Sequence, residues 1–314
     1  MGKNAPKISV IMSVYDSAAV LPRAIESLKR QTFRDVEYIF VNDGSTDSSA
    51  DILRNAFPDA LHVSLGENRG TAFAKGEGMR NAKGDYITFV DSDDYAEPDM
   101  LEKMYEATEG GKIDTVMAPY FRDTEKGVRK ISFSEKSGCL NDFAIDVRYF
   151  GMWNKLLRRS VIEHNGIYPF ENLDCWEDLG VVARYFTYPV SVRYIDECYY
   201  HYVENGSSVT HTRKEKILAD HIGIAGRLVS WFEEKGISEK YSEFLDYLRF
   251  MAKVKYLRAP RRDVRKWKSE FPEVNGRILS LRHIPAVYRI AFSMAAVLPV
   301  SFVERVIRGV ERGK

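Results

Sequence analysis

The amino-acid sequence predicts an α/β protein with a mostly parallel sheet and a helical C-terminal extension. Between residues 8 and 118, short runs of β-branched and aromatic residues alternate with amphipathic segments. Such a strand–helix repeat implies a parallel sheet with helices on both faces. Beyond about residue 213 the strand-like runs stop, and the chain becomes helical in pattern and basic.

The repeat starts with a continuous β-branched run, ISVIMSV at residues 8–14. A run of this type is expected for a strand that is buried on both faces. The helix predicted next has Pro22 in its first turn, where the missing proline N–H is tolerated. Further strands are predicted at 36–43, 61–65, 86–91 and 113–119, and helices at 21–31, 45–57, 70–82 and 98–108.

The repeat breaks at about residue 120. Residues 120–138 predict a hairpin or a mobile loop, and residues 190–203 predict a pair of strands. Residues 153–166 and 175–186 have the apolar spacing of helices. These segments indicate a second half of the domain that is organised differently from the first.

Composition and charge restrict the class of protein. With 45% hydrophobic and 29% charged residues, the 314-residue chain has the composition of an ordinary globular protein. The net charge of +1 hides an asymmetry, because residues 251–314 hold 15 Lys or Arg against 5 Asp or Glu. Such a segment suits an anionic surface: a membrane, a lipid phosphate or a nucleic acid. A solvated helical face is the alternative.

Cysteine usage and the apolar segments indicate a cytoplasmic protein. Three cysteines without a Cys-x-x-Cys pair provide neither a disulfide framework nor a zinc pattern. The N-terminal segment runs directly into the first strand and shows no secretory signal. The longest apolar run, residues 290–303, contains Pro299 and is too short to span a bilayer.

Polar residues follow three of the predicted strands. The first strand ends in Val14, Tyr15 and Asp16, the second ends at Asp43 in NDGSTD, and the fourth runs into DSDD at residues 91–94. In open α/β sheets, ligands bind at the carboxyl ends of the strands. One Asp-Gly turn is weak support for a site, but three such strand ends at one edge predict a binding site there.

The DSDD segment is the strongest candidate for a cation site. Asp91 and Asp93 can face the same side of a bent turn, and carboxylate oxygens suit a hard divalent cation. Asp94 is then expected to turn to solvent or to cap the next helix. Capping by Asp93 and Asp94 alone would leave the acidic residue at the strand end unexplained. The Gly and Glu that an EF-hand calcium loop requires do not follow at the right spacing.

Other motifs are weaker. The stretch GEGMRN at 76–81 follows no strand, so it is not a dinucleotide fingerprint. None of the six histidines forms a metal-spaced pair on a predicted helix, and His201 in YYHYVENGSS is retained as a site candidate. Glu177 and Asp178 stand at the head of a predicted helix, where an acidic turn favoured by the helix dipole is the alternative to a catalytic role.

Taken together, these segments resemble a known family. ISVIMSVYDSAAVLPRAIESLKRQTFRDVEYIFVNDGSTDSSADIL and ENRGTAFAKGEGMRNAKGDYITFVDSDDYAEPDML strongly resemble the nucleotide-sugar domain of glycosyltransferase family 2. WNKLLRRSVIE, WEDLGVVARYF and YYHYVENGSSVT resemble the acceptor-side half of that family, in its bacterial surface-polysaccharide branch. The likeness covers about residues 7–212, and the ordered set of motifs is far more specific than any single one.

The resemblance implies a GT-A fold for a catalytic domain at residues 1–212. Its nucleotide-sugar half would occupy 7–118 and its acceptor-side half 119–212, followed by the basic helical region at 213–314. The implied reaction is the inverting transfer of a sugar from a nucleotide sugar, usually a UDP-sugar, with Mg²⁺ or Mn²⁺ as cofactor.

On the donor side, the resemblance implies a role for each matching residue. Val14 and Tyr15 would border the nucleotide base, and Asp43 would accept a hydrogen bond from the uracil ring. Lys75 stands where the family often has Arg, and it would face the nucleotide or its phosphates. The DSDD segment completes the donor side: Asp91 would hold the ribose or a metal-bound water, Ser92 would contact the nucleotide, and Asp93 with Asp91 would form the metal site.

On the acceptor side, Asp178 matches the catalytic base of the family, with Glu177 as its neighbour. The residues that would lie near the donor sugar or the acceptor are Trp153, Asn154, Lys155, Trp176 and His201. The chemistry agrees with two separate acidic groups. A metal-held diphosphate leaves while another carboxylate accepts the proton of the incoming hydroxyl. A single displacement of this kind inverts the anomeric centre and needs no enzyme nucleophile.

The sequence departs from the family pattern at three positions. Asp16 replaces the usual Asn after the tyrosine, and Gly76 replaces the usual Asn after Lys75. Trp176 stands where Gly usually precedes Glu-Asp. The last two departures change volume and hydrogen bonding beside the donor sugar.

The sequence thus predicts an inverting glycosyltransferase that extends a bacterial surface glycan, with a glycan or lipid-linked saccharide as acceptor. A polyprenyl-phosphate acceptor and a nucleotide-sugar-binding protein without turnover are the alternatives. Residues 280–314 combine apolar faces with basic flanks. They either lie in the interface of the inner membrane or pack on the catalytic domain or a second subunit of a homo-oligomer. A nucleic-acid partner is not expected, since the acidic first 250 residues lack an aromatic–basic platform.

Overall fold

A computed structural model of the chain describes residues 5–132, 150–204, 214–258 and 262–305. The chain divides into two units. Unit 1 comprises residues 1–139 and 146–208, and unit 2 comprises residues 140–145 and 209–314. The domain boundary predicted at residue 212 lies outside the described residues, so the predicted division into domains stays a prediction.

The strands of the described residues all belong to unit 1. They are β1 (Ile8–Val14), β2 (Val36–Asn42), β3 (Leu61–Ser64), β4 (Tyr86–Phe89), β5 (Tyr95–Ala96), β6 (Thr115–Met117), β7 (Tyr120–Thr124), β8 (Gly127–Ile131), β9 (Lys155–Arg158), β10 (Val192–Tyr194) and β11 (Tyr200–Val203). The main sheet has the order β10-β6-β9-β4-β1-β2-β3, and a second sheet has the order β5-β11-β7-β8. In the main sheet neighbours are parallel, except that β9 is antiparallel to both β4 and β6.

The helices of unit 1 alternate with these strands as the repeat predicts. They are α1 (Leu21–Lys29), α2 (Ser49–Ala56), α3 (Thr71–Asn81), α4 (Met100–Glu106), α5 (Arg159–Asn165) and α6 (Glu177–Tyr185). The helix α3 packs on β1 and β2, and α4 packs on β6 and β9. The mostly parallel sheet and its helices confirm the predicted fold class.

The strand order brings three strand ends to one edge of the main sheet. β1 lies between β2 and β4 and runs parallel to both. The Asp43 N–H donates to the Val14 carbonyl at 2.8 Å, and the Val90 N–H donates to the Ile11 carbonyl at 3.0 Å. The residues that follow β1, β2 and β4 are therefore neighbours, as the candidate site requires.

Two sequence predictions for the second half of unit 1 need correction. Residues 153–166 are not helical throughout, because 155–158 form β9 and α5 begins only at Arg159. Leu156 and Leu157 are fully buried in the sheet, where apolar spacing alone does not separate a short strand from a helix. The strands predicted at 190–203 exist but do not pair, since β10 joins the main sheet and β11 the second.

The hairpin predicted after residue 120 is confirmed for the described part. β7 and β8 pair antiparallel, from Tyr120 opposite Ile131 to Thr124 opposite Gly127. The remainder of the predicted segment, at 133–138, lies outside the described residues. The second sheet therefore combines β7, β8 and β11, which follow the strand–helix repeat, with β5 from within it.

Unit 2 is helical over its described residues, as predicted. Its helices are α7 (Lys214–Glu234), α8 (Ser242–Lys253), α9 (Lys255–Arg258), α10 (Val264–Ser269), a 3₁₀ helix (Pro272–Ser280) and α11 (Ala286–Val297). Trp267, Phe250 and Val274 are among the buried residues of its apolar core. No helix of the described ranges is both long enough and apolar enough to cross a membrane.

Candidate active site

Asp43 follows β2 and holds the loop that leads into α3. The side chain is almost fully buried, and its two oxygens accept the backbone N–H groups of Arg69 at 2.7 Å and Gly70 at 2.9 Å. Burial raises the pKa of Asp43, and the two backbone hydrogen bonds oppose that rise. The residue predicted to contact the uracil ring is thus also a fixed part of the loop structure.

The start of α3 is fixed by a residue that the sequence did not single out. The Ala72 N–H donates to Asp174 Oδ1 at 3.2 Å, which satisfies one of the open N–H groups at the helix start. Gly70 has a φ of +91°, and a Cβ there would lie 2.2 Å from Asp174 Oδ1. Glycine is therefore required at this close approach. Spacing could not reveal the contact, since the partners are about a hundred residues apart.

The loop after β1 interlocks with the loop after β2. Asp16 has a φ of 44°, and its Oδ1 accepts the backbone N–H groups of Thr46 at 2.7 Å and Asp47 at 3.3 Å. Aspartate tolerates this left-handed conformation because its short side chain bonds locally. Val14 is buried beneath the edge, whereas Tyr15 is 41% exposed. Tyr15 is therefore accessible at the edge where the three strands end.

Asp94 has a structural role different from the one expected. The prediction that it turns to solvent or caps the next helix is wrong. Its carboxylate is buried, accepts the Tyr200 hydroxyl at 2.7 Å and accepts the Val203 N–H at 2.8 Å. The same Tyr200 hydroxyl accepts the Asp91 N–H at 3.1 Å. Burial raises the pKa of Asp94 well above its usual value, with Asp91 and Asp93 adding to the effect. Asp94 ties the DSDD turn to β11.

Asp91, Ser92 and Asp93 remain partly exposed on the same turn. Ser92 Oγ lies 3.1 Å from Ser17 Oγ, and Arg23 donates to the Asp93 backbone carbonyl at 2.6 Å. Burial raises the pKa of Asp91, Lys75 lowers it, and Asp93 adds to the rise. A divalent cation beside the two carboxylates would relieve this repulsion.

The two carboxylates fit a cation that is held jointly with a ligand. Over the described ranges, no group of three or more His, Cys, Asp or Glu side chains could hold a metal ion. Mg²⁺, however, is usually bound through one or two carboxylates together with substrate phosphates. Asp91 and Asp93 are of the right type and number for such a site. That they bind a metal ion stays a prediction.

Lys75 of α3 joins the DSDD turn to the start of α6. Its Nζ lies 2.9 Å from Glu177 Oε1, 3.0 Å from Asp178 Oδ1 and 3.6 Å from Asp91 Oδ1. The lysine side chain is only 4% exposed. The sequence placed Lys75 toward the nucleotide or its phosphates, but it did not foresee that this lysine pairs with carboxylates from both halves of unit 1.

The pKa values at this cluster follow from burial and charge. Burial alone would lower the pKa of Lys75, but Asp178, Asp91 and Glu177 together raise it well above its usual value. Burial raises the pKa of Glu177 to about 7, against the opposing effect of Lys75. Lys75 therefore stays charged, whereas Glu177 is partly protonated at neutral pH.

The segment 151–155 contacts Asp178 from the other side. The Met152 N–H donates to Asp178 Oδ2 at 3.1 Å. Lys155 is fully buried, and its Nζ donates to the Gly151 carbonyl at 2.5 Å and to Asn154 Oδ1 at 2.7 Å. Burial lowers the pKa of Lys155 to about 7, although Asp178 raises it in part. Lys155 thus braces the loop whose backbone orients Asp178.

Trp153 and Asn154 are packed inside unit 1. Trp153 stacks on Tyr200 with ring centroids 4.7 Å apart, and Asn154 Nδ2 donates to the Ala118 carbonyl at 3.0 Å. Both side chains are buried, so their predicted contact with a sugar stays a prediction. Trp176 precedes α6 with a φ of 67°. Glycine, which the resemblance implies at this position, would adopt this conformation without strain, whereas a tryptophan rarely does.

His201 lies in β11 of the second sheet. Its ring stacks between Tyr95 and Phe121, with centroid distances of 4.1 and 4.6 Å. Nε2 lies 3.0 Å from Glu97 Oε1, and Nδ1 lies 3.1 Å from Asp123 Oδ1. Both ring nitrogens therefore have carboxylate partners. These contacts give His201 a role in holding the second sheet, and its predicted sugar contact stays a prediction.

Comparison with known proteins places these motifs in a family. Residues 9–166 match the family model described as Glycosyl transferase family 2. A Bacillus subtilis protein named putative glycosyltransferase EpsH is 31% identical over 253 residues, which cover 77% of this chain and 73% of EpsH. The match spans both the DSDD segment and most of the second half of unit 1.

Solved structures share the fold. The crystal structure of S. aureus TarS has a TM-score of 0.67 and 20% identity, and the match covers 92% of this chain but only 54% of TarS. TarS 1–349 in complex with UDP-GlcNAc has a TM-score of 0.65 at 17% identity, covering 98% of this chain and 92% of that one. The mannosyltransferase PcManGT from Pyrobaculum calidifontis, in complex with GDP-Man and Mn²⁺, has a TM-score of 0.51 at 15% identity, with coverage of 94% and 86%.

Proposed function

Since this chain belongs to glycosyltransferase family 2, we propose that it transfers a sugar from a nucleotide sugar to a hydroxyl group, with inversion at the anomeric carbon. The observation that carries the proposal is the cluster around Lys75. There Asp91, from the edge that would hold the donor, and Asp178, from α6, approach one ammonium group. The negative charge of the leaving diphosphate would be stabilised in this region, and the proton of the incoming hydroxyl would be accepted there.

The donor would bind at the edge where β1, β2 and β4 end. TarS, which shares the fold, binds UDP-GlcNAc in its crystal structure, and this supports a UDP-sugar as donor. Tyr15 would pack against the uracil ring, with Val14 beneath it. Asp43 would accept the uracil N–H through a second lone pair, because a carboxylate oxygen that already accepts one backbone N–H retains another.

Asp91 and Asp93 would hold Mg²⁺ or Mn²⁺ together with the donor diphosphate. When bound, the cation would supply positive charge against the departing nucleoside diphosphate. Mn²⁺ in the PcManGT complex supports a metal in this fold. Asp94, buried and bonded to Tyr200, would keep the turn rigid while Asp91 and Asp93 change partners.

Asp178 would accept the proton of the attacking hydroxyl. Its orientation is fixed by the Met152 N–H and by Lys75, and its side chain remains 16% exposed, so a hydroxyl can reach it. Glu177, the neighbour of Asp178 in sequence, binds the same Lys75 ammonium at 2.9 Å. Charge and orientation at Asp178 are thus supplied by two different elements.

The acceptor would be a glycan or a lipid-linked saccharide of bacterial surface polysaccharide synthesis. This part of the proposal depends on the resemblance of WNKLLRRSVIE and WEDLGVVARYF to the acceptor-side half of that branch of the family. The two motifs meet at one contact, because the Met152 N–H, next to the first motif, donates to Asp178 of the second. Each of the two motifs begins with a tryptophan, Trp153 in the first and Trp176 in the second.

Asp178→Asn tests the assignment of the base. The amide keeps the shape of the side chain but cannot accept a proton, so we expect kcat to fall about 10²- to 10⁴-fold. The measurement is UDP release from UDP-GlcNAc, UDP-glucose and UDP-galactose with Mn²⁺, together with UDP affinity by calorimetry. Asp51→Asn, on the exposed carboxylate of α2, is the matched control.

Two outcomes would contradict the proposal. If Asp178→Asn keeps wild-type UDP release while UDP binding is intact, Asp178 is not the base. If the wild-type chain binds UDP but turns over none of the three donors, a binding protein without turnover is favoured. Asp93→Asn should weaken UDP binding about tenfold in Mn²⁺ and leave it unchanged in EDTA, which tests the cation site separately.

A further inference from the structure

The helix α11 of unit 2 exposes an apolar face that the transferase reaction does not use. Its sequence, AVYRIAFSMAAV, contains one charged residue, Arg289, and no acidic residue. Val287, Ile290, Met294 and Val297 recur at helical spacing, and they are 69%, 54%, 57% and 83% exposed. We call these four residues the outer stripe. Contiguous exposed apolar surface is uncommon on soluble monomeric proteins, and it often marks an interaction site.

The outer stripe belongs to a helix that is firmly attached to unit 2. On its inner side, Phe292 packs on Phe250 and Trp267, with ring centroids 5.2 and 6.1 Å apart. Arg289 donates to the Leu279 carbonyl at 2.8 Å near the start of the helix. Lys268 donates to the Ala296 carbonyl at 3.0 Å near its end. The helix is therefore apolar on both sides, with one side used by the core and the other presented to solvent.

Basic residues flank the outer stripe at both ends. Exposed Arg282 precedes α11, and exposed Arg305 follows it. In sequence, the tail at 306–314 adds Arg308, Arg312 and Lys314 against one glutamate. An apolar stripe between basic flanks suits an anionic bilayer, because apolar side chains enter the acyl boundary while arginines remain at the headgroups.

We propose that the outer stripe is a membrane-docking surface, on which α11 lies in the interface of an anionic lipid bilayer. Basic residues near such a surface are attracted to its anionic lipids, so the flanking arginines add to the binding that the apolar side chains provide. The helix lies on the membrane and does not cross it, in keeping with its 12 residues. This surface would keep the enzyme at the membrane independently of its catalytic residues.

A second copy of the chain fits the outer stripe less well. In a two-fold symmetric contact, the same surface of each copy forms the interface. Each end of α11 then lies near either the same end or the opposite end of α11 in the other copy. Arg282 and Arg305 make both flanks basic, and Glu304 offsets only part of that charge. Like charges would therefore meet in either direction of helix pairing, whereas anionic lipid headgroups would neutralise them.

The test is co-sedimentation of the purified full chain with vesicles. Vesicles of phosphatidylcholine with about a third phosphatidylglycerol are compared with pure phosphatidylcholine vesicles, at low and high salt. We expect at least about tenfold stronger binding to the anionic vesicles, with a loss at high salt. The double variant Ile290→Ser/Met294→Ser should bind about tenfold or more weakly, since it removes apolar surface from the stripe.

Matched variants separate the apolar contribution from the charge contribution. Val128→Ser, at an exposed apolar residue of β8 in unit 1, should bind vesicles within about twofold of wild type. Arg282→Gln/Arg305→Gln should reduce binding to anionic vesicles severalfold and leave the low binding to neutral vesicles unchanged. UDP release without lipid should be unchanged in all these variants, so failure here is distinguishable from failure of the transferase proposal.

Equal binding of wild type and Ile290→Ser/Met294→Ser to anionic vesicles would overturn the proposal. Light scattering of the lipid-free chain gives the other contradicting result. If wild type is a dimer that the double variant converts to a monomer, and neither binds vesicles, then a second copy covers the outer stripe.

Discussion

Lys75 and Lys155 are two buried lysines of unit 1 in opposite electrostatic surroundings. The Lys75 ammonium lies within 3.6 Å of three carboxylates. The Lys155 ammonium donates instead to two neutral oxygens, of Gly151 and Asn154. Burial acts to lower the pKa of both lysines, but the carboxylates raise that of Lys75 well above its usual value, whereas the pKa of Lys155 falls to about 7.

The comparison shows that burial alone does not decide the charge of a lysine. Partners of opposite charge compensate the loss of water around Lys75, and neutral carbonyl oxygens do so only in part around Lys155. Both residues act on Asp178, the first by direct ion pairing and the second by bracing the loop that carries the Met152 N–H. Lys75 thus affects the charge balance at Asp178, whereas Lys155 fixes the position of a backbone donor to it.

The largest expected effect comes from removing the charge of Lys75. Lys75→Met leaves three carboxylates without their shared cation, and we expect the free energy of unfolding to fall by about 3–5 kcal/mol. Chemical denaturation measures the change. Lys7→Met, at an exposed pair with Asp85, is the control and should cost less than about 1 kcal/mol. A Lys75→Met cost as small as that of the control would show that the cluster is not electrostatically coupled.

A substitution that retains the positive charge tests whether charge or packing accounts for the effect of Lys75→Met. Lys75→Arg keeps a cation beside the carboxylates, so it should recover most of the stability that Lys75→Met loses. The recovered fraction, measured by the same denaturation series, separates charge from packing. Equal losses in the Arg and Met variants would assign the effect to side-chain volume.

Lys155→Met should change how stability depends on pH. Because the folded-state pKa of Lys155 lies near 7 and its usual value is 10.5, the unfolded chain binds more protons between those values. Lys155 therefore makes the free energy of unfolding rise with pH in that window, by about 1 kcal/mol per unit. Lys155→Met should remove this slope between pH 8 and 10. Lys83→Met, at an exposed lysine, is the control, and an equal change in both variants would contradict the assignment.

The smallest expected effect concerns Glu177. Its folded-state pKa of about 7 lies above its usual value of 4.5, so the folded state binds more protons between these values. Stability from this group is present below pH 4.5 and is lost as the pH rises through 7. Glu177→Gln should remove about 2 kcal/mol of that decline between pH 5 and 7. Denaturation curves at several pH values measure it, and an unchanged decline would place the titration elsewhere.

The sequence by itself determined the first half of unit 1 and the sheet edge where β1, β2 and β4 end. Runs of β-branched and aromatic residues and amphipathic segments are local signals, and they predicted β1 to β4 and their helices. The carboxyl ends of parallel strands share an edge, so Asp43 and the DSDD segment could be placed together before any coordinates. The family resemblance, which rests on ordered motifs, was confirmed by the family match.

Only the tertiary structure decided what each polar side chain contacts. Lys75 and Glu177 are separated by about a hundred residues, and no spacing rule predicts their ion pair. Asp94 was expected to turn to solvent or to cap the next helix, but it is buried against β11, which supplies Tyr200 and the Val203 N–H. Residues 155–158 form a strand because they pair with both β4 and β6, and this position in the sheet buries the two leucines. Burial and long-range pairing are properties of the folded chain, whereas periodicity and strand-end chemistry are properties of the sequence.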